Sequence, residues 1–124
     1  MSAPGRFRLR SFVYAWRGLR VLVATQPNAR IHAVASALVI AAGFTLRVDT
    51  REWCWLVVAM ALVWMAEAFN TALEFLADEV SLAQRERIGR AKDLAAGAVL
   101  CASLGAAAIG LIIFVPHLAA RFGG

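Results

Sequence analysis

Trp53-Cys-Trp-Leu-Val-Val-Ala-Met-Ala-Leu-Val-Trp-Met-Ala66 runs without a charged side chain, and Glu67-Ala-Phe-Asn70-Thr71-Ala-Leu-Glu74-Phe-Leu-Ala-Asp78 follows with no proline or glycine between them. The two halves therefore read as one long helix. At about 100° per residue, Glu67, Asn70, Glu74 and Asp78 fall within roughly an 80° arc, while Phe69, Leu73 and Leu76 point elsewhere. A carboxylate inside a membrane helix costs on the order of 3 kcal/mol on insertion scales. An ordinary polar seam between packed helices accounts for one such residue. Three or four on a single arc call for a partner: a metal, a proton or a neighbouring helix.

Composition sets the solvent in which that helix lies. Apolar residues make up 61% of the 124, far above the roughly 45–50% of soluble domains, and mean hydropathy is +0.69. The length suits one domain, residues 1–124. The net charge of +5 raises nucleic acid as a partner. However, the aromatic residues sit mainly in apolar runs and no zinc-finger or RNA-binding motif is present, so nucleic acid is set aside. Cys54 and Cys101 are isolated in apolar runs and read as small core hydrophobes.

The flanking segments complete an all-α integral membrane architecture. Met1 to Gly5 is expected to be disordered, and arginines interrupt the start before a signal-peptide core can form. Over about 6–25, Phe12, Trp16, Leu19 and Val23 share one helical face, with Arg6, Arg10 and Arg17 nearly opposite and Arg20 at the edge. That pattern predicts an amphipathic helix lying in the headgroup region. Gln26-Pro27-Asn28 breaks it, with Asn28 available to cap the next helix. Span one is expected over 29–47, where His32, near the start, reads as interfacial or hydrogen-bonded. Asp49 and Glu52 form a capping-box pattern for span two, 52–79, whose Trp53 and Trp55 suit the outer interface. Residues 80–92 form a charged connection. Span three, 93–116, contains Leu94 to Val115, which carry no charge, and ends at Pro116-His117. Its Ala98, Ala102, Ala106 and Gly110 form a small-residue stripe suited to close helix packing.

Ten of the 13 basic residues lie either in the N-terminal segment (Arg6, Arg8, Arg10, Arg17, Arg20, Arg30) or after span two (Arg85, Arg87, Arg90, Lys92). The positive-inside rule puts both segments, and the N-terminus, in the cytoplasm. The polar arc of span two then opens towards the basic loop. Glu67 and Glu74 are about 10 Å apart along the axis, too far to share a proton. They suit instead a general base at depth and a metal ligand nearer the surface. Mg²⁺ is commonly held by one or two carboxylates together with phosphate oxygens. Arg90, Lys92 and Asp93 stand where a polyphosphate would arrive, and phosphoryl transfer needs chiefly positioning and charge compensation. No P-loop or kinase-type glycine-rich loop is present.

Glu67-Ala-Phe-Asn70-Thr71-Ala-Leu-Glu74 with Asp78, followed by Gly89-Arg-Ala-Lys92-Asp93-Leu-Ala-Ala-Gly-Ala-Val-Leu100, resembles the bacterial membrane diacylglycerol kinase family, which includes the undecaprenol kinases. Tyr14-Ala-Trp16-Arg17-Gly18-Leu19-Arg20 and Asn28-Ala-Arg30-Ile31-His32 match as well, so the resemblance covers most of residues 6–116. It implies a homotrimer of three-span protomers, each with a surface helix, in the bacterial inner membrane, with active sites shared between protomers. It implies an ATP- and Mg²⁺-dependent kinase acting on a lipid alcohol. The resemblance makes Glu67 the base for the lipid hydroxyl and Asn70 its support. It makes Glu74 a ligand of metal and ATP phosphates, places Lys92, Asp93 and Tyr14 at the nucleotide, and sets Asp78 beside it.

Two departures stand out. The family often has a glutamate as second metal ligand where this chain has Gln26, which offers a carbonyl oxygen without the charge. Ser81-Leu-Ala-Gln-Arg-Glu-Arg-Ile88 also differs from the Pro-Glu-Tyr-type loop usual there. The acceptor is diacylglycerol, giving phosphatidate, or undecaprenol, giving its monophosphate; the Arg-Ile-His and Ala-Ala-Gly-Ala-Val-Leu segments lean to the second. The competing class is a non-enzymatic membrane scaffold or transporter subunit, which has no need of Lys92-Asp93 at the mouth of the polar face.

Overall fold

The computed structural model describes residues 4–123. It contains four helices: α1 Pro4–Thr25, α2 Pro27–Thr45, α3 Thr50–Val80 and α4 Glu86–Phe122. The last three are long and apolar enough to cross a membrane. Pro4 and Gly5 are already helical, against the expected disorder; the rest of that expectation, residues 1–3, lies outside the described residues.

Local chemistry sets the helix ends. Pro27 is the first residue of α2, where its missing N–H is no loss, so Gln26 is the N-cap and Asn28 does not cap, contrary to expectation. No side-chain cap replaces it at this start. Arg30 instead turns back onto α1, donating from Nε to the carbonyl of Val23 at 3.1 Å and from Nη2 to that of Ala24 at 2.7 Å. A cation on the last carbonyls of a helix satisfies groups that have no partner within it. This fixes the elbow between α1 and α2. At the other end of α2, Arg47 takes a left-handed φ of 56°, and the Val48 N–H bonds the Gly43 carbonyl at 3.1 Å, closing a Schellman turn. The capping box at α3 forms as expected: Glu52 N donates to Asp49 Oδ1 at 2.8 Å, and Asp49 N to Glu52 Oε1 at 3.1 Å.

The long helices pack most extensively as α3 against α4, with α2 on α3 and α1 touching both α2 and α3. Val48, Leu56 and Ile113 form the buried core, flanked by Val39, Trp53, Met60, Ile109 and Phe114. Gly43 admits this packing, since a Cβ there would lie 2.4 Å from the Trp53 ring. Trp53 therefore turns into the protein, while Trp55 stays exposed. Trp64 Nε1 donates to Ser36 Oγ at 3.0 Å, joining α2 to α3 halfway along.

Two expected boundaries move. The connection after α3 is short, and α4 already starts at Glu86, where Glu86 pairs with Arg90 one turn on. Nor does α4 stop at Pro116; it continues to Phe122. Beyond the proline, His117 Nε2 lies 3.0 and 3.1 Å from the two carboxylate oxygens of Glu52, and Arg121 Nη1 donates to the Thr45 carbonyl at 3.3 Å. These contacts hold the last turns against α2 and α3 despite the helix bond the proline removes. Cys54 and Cys101 are also exposed, not core residues. When the surroundings of a helix are themselves apolar, a run of apolar residues does not say which side faces inward.

Candidate active site

Length explains why one helix holds both a buried acid and a solvated one. With 31 residues, α3 is about 46 Å long at about 1.5 Å per residue, against about 30 Å of hydrocarbon. The helix is therefore longer than the hydrocarbon is thick, and Glu74, Asp78 and Glu79 gather at its C-terminal end.

Glu67, halfway down that face, is 1% exposed. Its Oε2 lies 3.5 Å from Nε2 of His32 on α2, within ion-pair range but without a hydrogen bond. Asn70 Oδ1 and Thr71 Oγ1 are likewise buried without a hydrogen-bond partner among the described residues. Buried polar atoms are normally satisfied, so three unsatisfied oxygens within five residues mark this part of α3 as built for something other than holding the bundle together. Asn70 lines a cleft of about 610 Å³ between α3 and α4, with Ala98 and Ala102 opposite. Thr71 lines a second cleft, of about 450 Å³ between α1 and α3.

Tyr14 lies in that α1–α3 cleft, facing the same part of α3 as Thr71. The Arg17 guanidinium is 5.7 Å from the centre of its ring. Glu74, two turns beyond Glu67, is half-buried. Asp78 and Lys92 meet across the α3–α4 mouth, with Nζ 2.7 Å from Oδ1. Lys92 precedes the uncharged 94–115 stretch. The hydrogen bond to Asp78 holds its pKa above the usual lysine value; desolvation takes back part of that rise, and the charges of Asp78 and Glu74 add to it. Asp93 is exposed beside it.

The Gln26 amide nitrogen donates to Thr25 Oγ1 at 3.2 Å, and no hydrogen bond joins it to Glu74 among the described residues. Nor do the described residues contain three His, Cys, Asp or Glu side chains gathered around one point. Mg²⁺ rarely needs such a cage, because waters and substrate phosphates fill most of its octahedron. The half-buried Glu74 carboxylate and the Gln26 carbonyl are all-oxygen donors of the hard type it takes, so the residues present fit that ion.

Sequence reasoning missed His32 and Thr71 as members of the group. Thr71 had a signal, since it follows Glu67 by one helical turn. His32 stood out as a polar residue in an apolar span, but only the packing of α2 on α3 brings it to Glu67.

A small helical membrane protein that crosses the bilayer several times, with a buried carboxylate and a charged mouth on one helix, is the class these features define. The sequence model of prokaryotic diacylglycerol kinase matches residues 13–114. A diacylglycerol kinase of Synechocystis sp. is 40% identical over 109 residues, 87% of this chain and 62% of that protein. An undecaprenol kinase of Bacillus subtilis is 34% identical over 109 residues, covering 88% of this chain and 89% of the relative. A diacylglycerol kinase of Escherichia coli is 32% identical over 104 residues, 84% and 85% of the two chains. The chain thus spans less than two thirds of the Synechocystis relative and most of the other two. It belongs to the prokaryotic diacylglycerol kinase family.

Proposed function

We propose that this protein is an ATP- and Mg²⁺-dependent kinase that phosphorylates the hydroxyl of a membrane lipid alcohol, either diacylglycerol or undecaprenol. One observation carries the reading beyond family membership. The same face of α3 holds a carboxylate 1% exposed at Glu67 and, three turns on, an aqueous acid paired with the Lys92 ammonium. A lipid hydroxyl reaches the first from the bilayer, and a nucleotide reaches the second from water.

The roles follow that order along the helix. Glu67 accepts the proton of the acceptor hydroxyl as its oxygen attacks the γ-phosphorus and ADP leaves. The unsatisfied Oδ1 of Asn70 is placed to hold the attacking group. Glu74 and, more weakly, Gln26 would hold Mg²⁺, which when bound supplies charge neutralisation to the phosphates. Lys92 compensates phosphate charge, its attraction to Asp78 yielding to the larger negative charge of a nucleotide. Asp93 and Tyr14 complete the nucleotide contacts.

The wider setting belongs to the same proposal. The protein is a homotrimer of the bacterial inner membrane with its N-terminus in the cytoplasm, and α1 lies in the headgroup layer. Support for the last point comes from Phe12 and Trp16, exposed at 75% and 66% on the same helix as Arg10 and Arg17. The test is purified protein with γ-labelled ATP and each lipid alcohol in mixed micelles. Label in phosphatidate or undecaprenyl phosphate is the expected result and identifies the acceptor. Label in neither overturns the reading.

A further inference from the structure

The proposed base is buried deeply enough that returning its proton to water is a problem in itself. Glu67's side chain is 2% exposed, yet at every turnover it must lose what it takes from the acceptor. The ionisable groups around it can be followed helix by helix. On α3 the next acid, Glu74, is about 10 Å away along the axis. Between Asp93 and His117, α4 carries no ionisable side chain except Cys101, which is exposed. On α1, Tyr14 and Arg17 face the cleft at Thr71. On α2, His32 places Nε2 3.5 Å from Glu67 Oε2, and its side chain is 17% exposed. It sits in the second turn of α2, at the end of the bundle that carries the charged mouth.

We propose that His32 is the positioning residue of Glu67 and the exit for its proton. This rests on the lipid-kinase reading of Glu67. As the acceptor oxygen bonds to the γ-phosphorus and the bond to the leaving ADP oxygen breaks, the hydroxyl proton passes to Glu67 Oε2. It then moves from Oε2 to Nε2 of a neutral His32, restoring the carboxylate beside an imidazolium. The imidazolium then gives the proton to water reaching the start of α2, where His32 stands in the second turn, and the site is ready again. Imidazole is suited to this step because it gains and loses a proton near neutral pH. The 3.5 Å separation has to close by only a few tenths of an ångström to reach the roughly 2.6–3.2 Å of proton transfer.

A purely structural histidine would fill the same space, so the test must separate the two. His32→Ala removes the ring; His32→Gln keeps reach and a hydrogen-bonding N–H but cannot carry a proton. Both are compared with Glu67→Gln and with the double variant Glu67→Gln/His32→Ala, and thermal melting reports folding. Both single His32 variants are expected to lose on the order of 10²-fold in kcat with KM for MgATP unchanged. Added imidazole should restore turnover to His32→Ala. The double variant should be no slower than Glu67→Gln, since His32 acts only through that carboxylate. Wild-type turnover in His32→Gln, or losses that multiply in the double variant, overturns the relay. If Glu67→Gln itself turns over normally, the base assignment has failed. If it is slow while both His32 variants are fast, the relay alone has failed. A wild-type protein that phosphorylates neither lipid overturns both.

Discussion

Glu67→Gln separates chemistry from nucleotide binding, and the structure sets the size of each effect. The amide keeps the shape of the side chain and deletes the base. General-base catalysis contributes about 10²–10⁴-fold, or about 2.7–5.4 kcal/mol of barrier. The effect on the nucleotide is smaller and opposite in sign. Seven residues place Glu74 about 10 Å away, where unit charges interact by about 0.4 kcal/mol in water and about 1.7 kcal/mol at an effective dielectric near 20. MgATP is a net anion, so removing a carboxylate at that distance can only favour its binding slightly. We therefore predict a kcat lower by about 10²–10⁴-fold with KM for MgATP unchanged or slightly lower. The assay is ADP release in mixed micelles at saturating lipid, with ATP varied at fixed free Mg²⁺. Melting should not fall, because Glu67 Oε2 makes no hydrogen bond that the change would break and a neutral amide is easier to bury than a carboxylate. A KM for MgATP that rises as steeply as kcat falls would refute the reasoning, because Glu67 would then be holding the nucleotide.

Glu74→Gln should raise KM for MgATP by about 10–100-fold, the size of a lost charged contact, as well as slowing turnover; an unchanged KM removes Glu74 from the metal. Gly43→Ala sets a methyl carbon 2.4 Å from the Trp53 ring, and pushing the indole aside should cost about 1–3 kcal/mol, read as a lower melting midpoint in detergent. Arg47→Gly should raise that midpoint, because a left-handed φ of 56° costs a side-chain-bearing residue about 1–2 kcal/mol; an unchanged or lower value means that the arginine side chain repays the strain. Co-assembled Glu67→Gln and Lys92→Ala subunits, each inactive alone, should recover partial activity if sites are shared between protomers. No recovery in verified mixed oligomers places each site within one chain.

The fold was legible where the chemistry of a few residues leaves one option. Asp49 and Glu52 satisfy each other's N–H groups only at a helix start, so the capping pattern located the beginning of α3. The periodicity of Glu67, Asn70, Glu74 and Asp78 set four polar residues on one arc of α3, since charge in an apolar helix is too costly to be placed at random, and the structure buries Glu67 while leaving Asp78 exposed. Tertiary packing decided the rest. Pro116 reads as a helix end, and only the contacts of His117 with Glu52 and of Arg121 with Thr45 explain why α4 goes on. Cys54 and Cys101 read as core because apolar runs imply burial in water, whereas next to lipid both sides of a helix are apolar. His32 was visible as a polar residue in an apolar span, but its partner lies 35 positions away and reaches it only through the crossing of α2 on α3.

The two substrates this protein would join live in different phases, and the structure meets that difficulty with helix length more than with loops. The connection between α3 and α4 is a few residues, with Ala83 N–H turned onto Ser81 Oγ at 3.1 Å, too short to fold over a nucleotide. Instead, α3 at about 46 Å outruns the hydrocarbon by about 16 Å. Along this one rigid rod Asp78 is exposed while Glu67 is buried. A helix fixes the separation of two groups to within small bending motions, whereas a loop does not. On the proposed reading, placing base and phosphate-facing charges on one helix sets their spacing before either substrate arrives, which is the positioning that phosphoryl transfer chiefly requires. The same rod leaves Glu74 and Asp78 only partly covered within a single chain. Neighbouring protomers are the economical way to close that face, and the mixed-subunit experiment tests that arrangement directly.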